Sequence, residues 1–331
     1  MAESTIIYFF ISGILCLFIM SISFNILKGM KHFDKNLLKL SKSTKIVSSL
    51  GISFLICFII ILLYFIYEKS ILEVLPNKYY IFFGSLIFIT LISYRDDVSE
   101  IDPKIRLIIQ LVIIYFSLTN LDLGSSILPL KLTIFLALVF WVYIINISNF
   151  MDGSDGHFAI HSISFFIGTL YISYFFQLES FSKFLAYITL PIIFMFLFFN
   201  FPKAKAYMGD TGSIFIGYII GFILLENILL YKGLYILSIF LYPLMDCTIT
   251  LIKKISKGYY PWARLGDYFF LIPIKNGYKV RKVFFAALIY NIFNLLFLFL
   301  IINYSDLFFI LNVLNSLTLI LYFKSYEKKE I

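Results

Sequence analysis

LKLTIFLALVFWVYIINISNFMDGSDG, running from Leu130 to Gly156, joins an apolar run to a loop of oxygen donors. From Leu130 to Ser148 the only charged residue is Lys131. The run is long enough to cross a bilayer as a helix. It is continuous rather than alternating with period two, which excludes a barrel strand. At its end Asn146, Asn149, Asp152 and Asp155 recur every three residues. Helical spacing would align them on one face, after which Gly153 and Gly156 break the helix and let backbone approach a ligand. Such a row of oxygen donors suits a hard cation such as Mg2+. The spacing of an EF-hand loop is absent.

The same pattern repeats along the chain. Of 331 residues, 61% are hydrophobic and 14% charged, with mean hydropathy +0.95. No water-soluble core needs so much apolar material. Apolar stretches fall at roughly 5–27, 47–67, 78–94, 105–119, 130–148, 158–176, 183–201, 213–231, 234–252, 282–303 and 306–323. The first is too long for a signal-peptide core and no small-residue cleavage site follows it, so it reads as retained. With the N-terminus outside, 22 of the 27 Lys and Arg residues fall on the cytoplasmic side and five on the other, the asymmetry of the positive-inside rule. The expected architecture is an all-α polytopic integral membrane protein of about eleven transmembrane helices, its C-terminus cytoplasmic. A single membrane-embedded domain spans 1–331, with cytoplasmic loops at about 28–46, 95–104, 149–157, 202–212 and 253–281. The net charge of +8 then belongs to topology and anionic membrane lipid rather than to nucleic acid. Cys16, Cys57 and Cys247 lie inside spans and read as small apolar fillers.

The remaining acidic residues gather in the inward loops. Asp96 and Asp97 end the third span, and neighbours on a helix point about 100° apart. One can therefore serve a cation and the other a substrate proton. Pro103 opens the next helix, and Lys104 and Arg106 set positive charge facing the aspartates. Asp210, between Gly209 and Gly212 at the start of the eighth span, reads as an N-cap or as part of an anion and metal pocket. Asp246, inside the ninth span below Pro243, reads equally as a functional carboxylate, a partner for a neighbouring span, or a partner of Lys253 or Lys254. His161 reads as an interhelical hydrogen-bond partner. His157 reads as a polar helix start with a ligand role as the alternative, and His32 as plain loop.

The segments DDVSEIDPKIRLIIQ (96–110), NISNFMDGSDG (146–156), AYMGDTGS (206–213) and PLMDCTITLIKK (243–254) resemble the signature loops of the polyprenyl-phosphate sugar-1-phosphate transferase family. That family holds undecaprenyl-phosphate N-acetylhexosamine-1-phosphate transferases and phospho-N-acetylmuramoyl-pentapeptide translocases. The resemblance implies an enzyme that transfers sugar-1-phosphate from a UDP-linked amino sugar to undecaprenyl phosphate and releases UMP. It implies Mg2+ as cofactor, with Mn2+ the alternative ion, and Asn149 and Asp210 as metal ligands. Asp96 and Asp97 would orient or deprotonate the lipid phosphate. Asp152 and Lys104 would line the diphosphate site, Asp155 would contact uracil, and Tyr207 would stack on it where relatives often have Phe. It places the enzyme in the bacterial inner membrane, with a cytoplasmic active site and a homodimer as a candidate assembly. The expected pathway is that of an O-antigen-like surface polysaccharide.

The last inward loop departs from the family. ARLGDYFFLIPIKNGYKVRKV (263–283) has no histidine where relatives carry a cluster, and Arg264, Asp267 and Tyr268 stand in that region, with Arg264 the substrate-binding candidate. The loss argues against pentapeptide transfer, which stays as the alternative donor class. A CDP-alcohol phosphatidyltransferase would need a DG-x-x-AR run that DGSDGHF breaks. A non-catalytic transporter would string its charges through the bilayer midplane, whereas these cluster on one face.

Overall fold

A computed structural model describes residues 2–34, 45–67, 79–125, 128–178, 180–260 and 267–327. Among them the chain is helical, and its only β pairing is two isolated bridges. The helices are α1 (Ala2–Gly29), α2 (Ile52–Tyr67), α3 (Tyr79–Val98), α4 (Pro103–Ser117), α5 (Leu130–Met151), α6 (His157–Phe175), α7 (Phe181–Asn200) and α8 (Gly209–Leu229). Then come α9 (Gly233–Ile239), α10 (Leu241–Ser256), α11 (Val280–Asn303) and α12 (Phe309–Lys324). Each of the eleven apolar stretches is met by a helix or, at 234–252, by a pair. Among the described residues seven helical segments are long and apolar enough to cross a membrane alone, and the bent α9–α10 pair brings the number to eight. The chain is a multi-pass membrane protein.

The 234–252 stretch is not one straight helix: α9 and α10 meet at 73°. Pro243 explains the break. Its ring lacks an N–H and would strike the carbonyl four residues back in a continuous helix. A break at Phe240 places Pro243 in the first turn of α10, where no intrahelical donor is required.

Helix α8 is the axis of the bundle, with every residue from Thr211 to Leu225 buried. It packs between α3 and α5, and the packing depends on small residues. A Cβ on Gly221 would lie 2.1 Å from Cδ1 of Trp141 on α5. The Trp141 indole N–H donates to the Tyr218 carbonyl at 2.9 Å, and the Tyr218 hydroxyl donates to Ser117 Oγ at 2.7 Å. Small interfacial residues and interhelical hydrogen bonds are the usual means of holding spans together where lipid is as apolar as leucine. The outer helices instead turn large apolar side chains outward, among them Phe18, Ile14, Ile292 and Leu321, which suits hydrocarbon rather than water.

The C-terminal ends of α1, α3, α5 and α7 and the N-terminal ends of α2, α4, α6 and α8 meet on one side, as in an up-and-down bundle. Residues 45–51 pair there with 205–208: Tyr207 N donates to Val47 O at 2.9 Å and Leu50 N to Tyr207 O at 3.0 Å. The three cysteines are buried and unbridged.

Candidate active site

On that side opens a cavity of about 720 Å3. Its walls include Asp96 and Asp97 from α3, Asn149 from α5, Asp152 and Asp155 from the following loop, and Tyr207, Gly209 and Asp210 at the head of α8. Asp34 and Glu100 add to this acidic lining, beside Phe33. Seven of the nine expected site residues are thus brought to one place. Arg264 lies outside the described residues.

Lys104 is the exception, because it is exposed and does not line the cavity. Residues two positions apart on a helix point about 200° from each other, so Lys104 and Arg106 cannot face the same way. Arg106 takes the inward side with Gln110, one turn further on and buried. Its Nη1 donates to Asp96 Oδ2 at 2.7 Å and to Asp210 Oδ2 at 2.5 Å. The Lys104 backbone N–H donates to Asp102 Oδ1 at 2.8 Å, a helix N-cap.

The aspartate pair does diverge. Asp96 turns to Arg106 and also accepts from Ile101 N at 2.6 Å. Asp97 turns to the first turn of α8, accepting from Asp210 N at 3.0 Å, Thr211 N at 3.2 Å and Thr211 Oγ1 at 2.5 Å. It caps the helix from a different helix, satisfying donors that helix starts leave over. Gly209 is what admits it: φ is +70°, and a Cβ there would lie 2.4 Å from Asp97 Oδ2.

The row at Asn146, Asn149, Asp152 and Asp155 does not form one ligand face. Helix α5 ends at Met151, so helical spacing covers only the first two. Asn146 lies outside the cavity lining; its Nδ2 donates to Gln110 Oε1 at 3.2 Å and to Val142 O at 2.8 Å. Asp155 accepts from Ala204 N at 3.1 Å, which ties its loop to the segment before α8. Asn200, absent from the sequence-based set, makes the second tie. Its Oδ1 accepts from Gly156 N at 2.5 Å and its Nδ2 donates to Ala206 O at 2.9 Å. A lone amide closing the apolar run FLFFN (196–200) was the available signal.

Asp246 is not a cavity residue. Fully buried, it accepts from Tyr242 Oη at 2.7 Å, Phe269 N at 3.0 Å and Phe270 N at 3.4 Å. It holds residues 269–270 under the Gly153 turn, where Phe270 approaches. His161 pairs with Asn291 across helices at 3.1 Å, as expected. His157 is buried against the Phe270 ring, centroids 4.3 Å apart. His32 is more than plain loop, since its Nε2 lies 3.0 Å from Ser49 Oγ.

Crowding sets the electrostatics. Burial, and then the Asp210 charge, push Asp97 up to about 6 against the pull of hydrogen bonds from Thr211 and Ser49. Burial, and then Asp210, Asp97 and Asp155, push Asp152 well above the usual carboxylate range. Burial, and then Asp155, Asp34 and Asp152, raise the Tyr207 phenol. These groups would be relieved by added positive charge. The donors are hard oxygens, the chemistry Mg2+ selects. They are not preassembled, however: among the described residues no group of three or more His, Cys, Asp or Glu side chains is placed to hold a metal ion. Asp96 and Asp210 face Arg106 instead, and Asp97 faces the α8 terminus.

Residues 79–227 match the family described as Glycosyl transferase family 4. The chain is 32% identical over 190 residues to a probable undecaprenyl-phosphate N-acetylglucosaminyl 1-phosphate transferase of Bacillus subtilis, covering 52% of this chain and 51% of that protein. It is 28% identical over 228 residues to the undecaprenyl-phosphate alpha-N-acetylglucosaminyl 1-phosphate transferase of Salmonella typhi, covering 63% and 60%. It is 29% identical over 175 residues to the phospho-N-acetylmuramoyl-pentapeptide-transferase of Sulfurimonas denitrificans, covering 42% and 50%. The matches therefore span about half the length of the first relative and three fifths of the second.

Proposed function

Because this chain belongs to glycosyl transferase family 4 through its residues 79–227, we propose that it transfers a sugar-1-phosphate from a UDP-linked amino sugar to undecaprenyl phosphate. The observation that carries this reading is the convergence of Asp97, Asn149, Asp152, Tyr207 and Asp210, from three separate stretches of sequence, on one cavity. The proposed setting is the bacterial inner membrane, with the cavity facing the cytoplasm where UDP-sugars are made. The proposed pathway builds a surface polysaccharide of O-antigen type.

In this reaction an oxygen of the lipid phosphate forms a bond to the β-phosphorus of the donor. The bond from that phosphorus to the bridging oxygen breaks, and UMP leaves. A Mg2+ ion held by Asn149 and Asp210 would supply neutralising charge on the diphosphate. The chain's own groups do the positioning. Asp96 and Asp97 stand at the end of α3 to orient the lipid phosphate and take its proton. Asp152 lines the diphosphate side. Tyr207 offers a flat face for uracil, and Asp155 a carboxylate for its N–H. The amide and helix-end hydrogen bonds of Asn200 and Asp97 fix these walls before substrate arrives, which phosphoryl transfer rewards more than covalent chemistry.

A second donor class, a UDP-linked muramoyl peptide, has the support of relatives named for pentapeptide transfer at comparable identity. One experiment separates the two. Membranes containing the protein are given undecaprenyl phosphate, Mg2+ and a panel of labelled UDP-N-acetylhexosamines and UDP-N-acetylmuramoyl-pentapeptide. Lipid-linked label from an N-acetylhexosamine, lost in Asp210→Asn, supports the leading reading. Label from the pentapeptide donor alone supports the second, and no label from any donor overturns both.

A further inference from the structure

We infer that Arg106 is an exchangeable counter-ion: it joins Asp96 to Asp210, and it yields Asp210 when a divalent ion binds there. The inference rests on the reading above that Asp210 ligates such an ion.

One nitrogen, Nη1, reaches Asp96 Oδ2 at 2.7 Å and Asp210 Oδ2 at 2.5 Å. Asp96 lies 10 positions before Arg106 and Asp210 lies 104 after it, yet a single guanidinium joins α3 to the head of α8. The pairing is sheltered, with side-chain exposures of 15% for Arg106, 8% for Asp96 and 23% for Asp210. Shelter from water strengthens a charge pair relative to one at the surface. Among the described residues lining the cavity there is no lysine or arginine, and Arg106 reaches Asp96 and Asp210 from behind that lining.

A dication at Asp210 would put a second positive charge within a few ångströms of the Arg106 guanidinium in a sheltered site, so the two compete for that carboxylate. Ion binding therefore displaces Arg106 from Asp210. Asp96 remains its anchor, so the side chain swings about a fixed point rather than leaving the site. Its freed donors then face a cavity that receives phosphate, for which a planar guanidinium is well matched. Arg106 in this scheme is a positioning residue. It keeps the acidic site from repelling itself apart when unloaded, and it lowers the affinity for the ion by competing for its ligand.

The test is Mn2+ binding to the purified protein in detergent, read by electron paramagnetic resonance without sugar donor. Arg106→Gln should bind Mn2+ roughly tenfold more tightly than the wild type, since a nearby positive charge is removed. Arg106→Lys, which keeps the charge, should stay within about threefold of the wild type, and its thermal midpoint reports whether the fold tolerates change here. Unchanged or weaker Mn2+ binding by a folded Arg106→Gln, with wild-type binding intact, overturns the exchange while leaving the transferase reading standing. Absence of Mn2+ binding in the wild type itself removes the ion from Asp210 and overturns the exchange with that part of the reading.

Discussion

Asp97 serves two tasks that pull against each other. As the cap of α8 it is best ionised, and as a buried carboxylate near Asp210 it is pushed up to about 6. The folded value lies above the ordinary 3.8, so the folded state holds this proton more tightly than the unfolded chain. Ionising it thus costs stability between pH 3.8 and about 6, and nothing more above that. A base must be deprotonated to work, so at limiting Mg2+ sugar transfer should fall as pH drops through about 6, and the fall should move to lower pH as Mg2+ is raised, measured as initial rates from pH 5 to 8. A rate flat down to pH 5 at limiting Mg2+ would remove Asp97 as the base. Asp97→Ala should lower the rate at least 100-fold, a typical loss for a general base. It should also lower the thermal midpoint, because two backbone N–H groups of α8 lose their acceptor.

At the scale of elements, the contact of α5 with α8 joins the two helices that carry Asn149 and Asp210 to the cavity. Gly221→Val would drive side-chain atoms into Trp141, from which even a Cβ would be 2.1 Å away. Overpacking of this kind costs about 1–3 kcal/mol, and a lowered unfolding midpoint in detergent would register it. Gly221→Ala should fall between the two. Asp246→Ala would leave Phe269 N, Phe270 N and Tyr242 Oη without their acceptor. Unsatisfied buried donors cost about 1–3 kcal/mol each, so the stretch 267–279 should become more sensitive to protease while α8 stays protected. Equal protease resistance in Asp246→Ala and the wild type would show that this carboxylate does not hold the loop.

Across the whole molecule, the spans and the convergence of the inward loops were legible in Leu, Ile and Phe runs broken by acid, because hydrocarbon demands length and penalises charge. Which way a helix faces was harder to read. In lipid both faces of a span are apolar, so hydrophobic periodicity carries little information, and polar side chains become the markers. Gln110 marked the inward face of α4 and would have favoured Arg106 over Lys104. Asn146, Asn149, Asp152 and Asp155 read as one ligand face only if α5 continues past Met151, and helix ends are set by tertiary partners such as Ala204 and Asn200 rather than by local sequence. The break at Phe240 was signalled by Pro243, whose place in a first turn is plain only once the bend is known.

Sidedness of the cavity offers the most direct test of the central claim, that loops far apart in sequence share one phosphate-handling site on the cytoplasmic face. Ser48, Glu100 and Gly153 all line it and come from three different loops. Each is changed to cysteine singly, against a low background because the native cysteines are buried, and labelled with a membrane-impermeant thiol reagent in inside-out and right-side-out vesicles. The predicted result is labelling of all three in inside-out vesicles alone, with UDP and Mg2+ slowing each. Labelling of any two from opposite sides would contradict it.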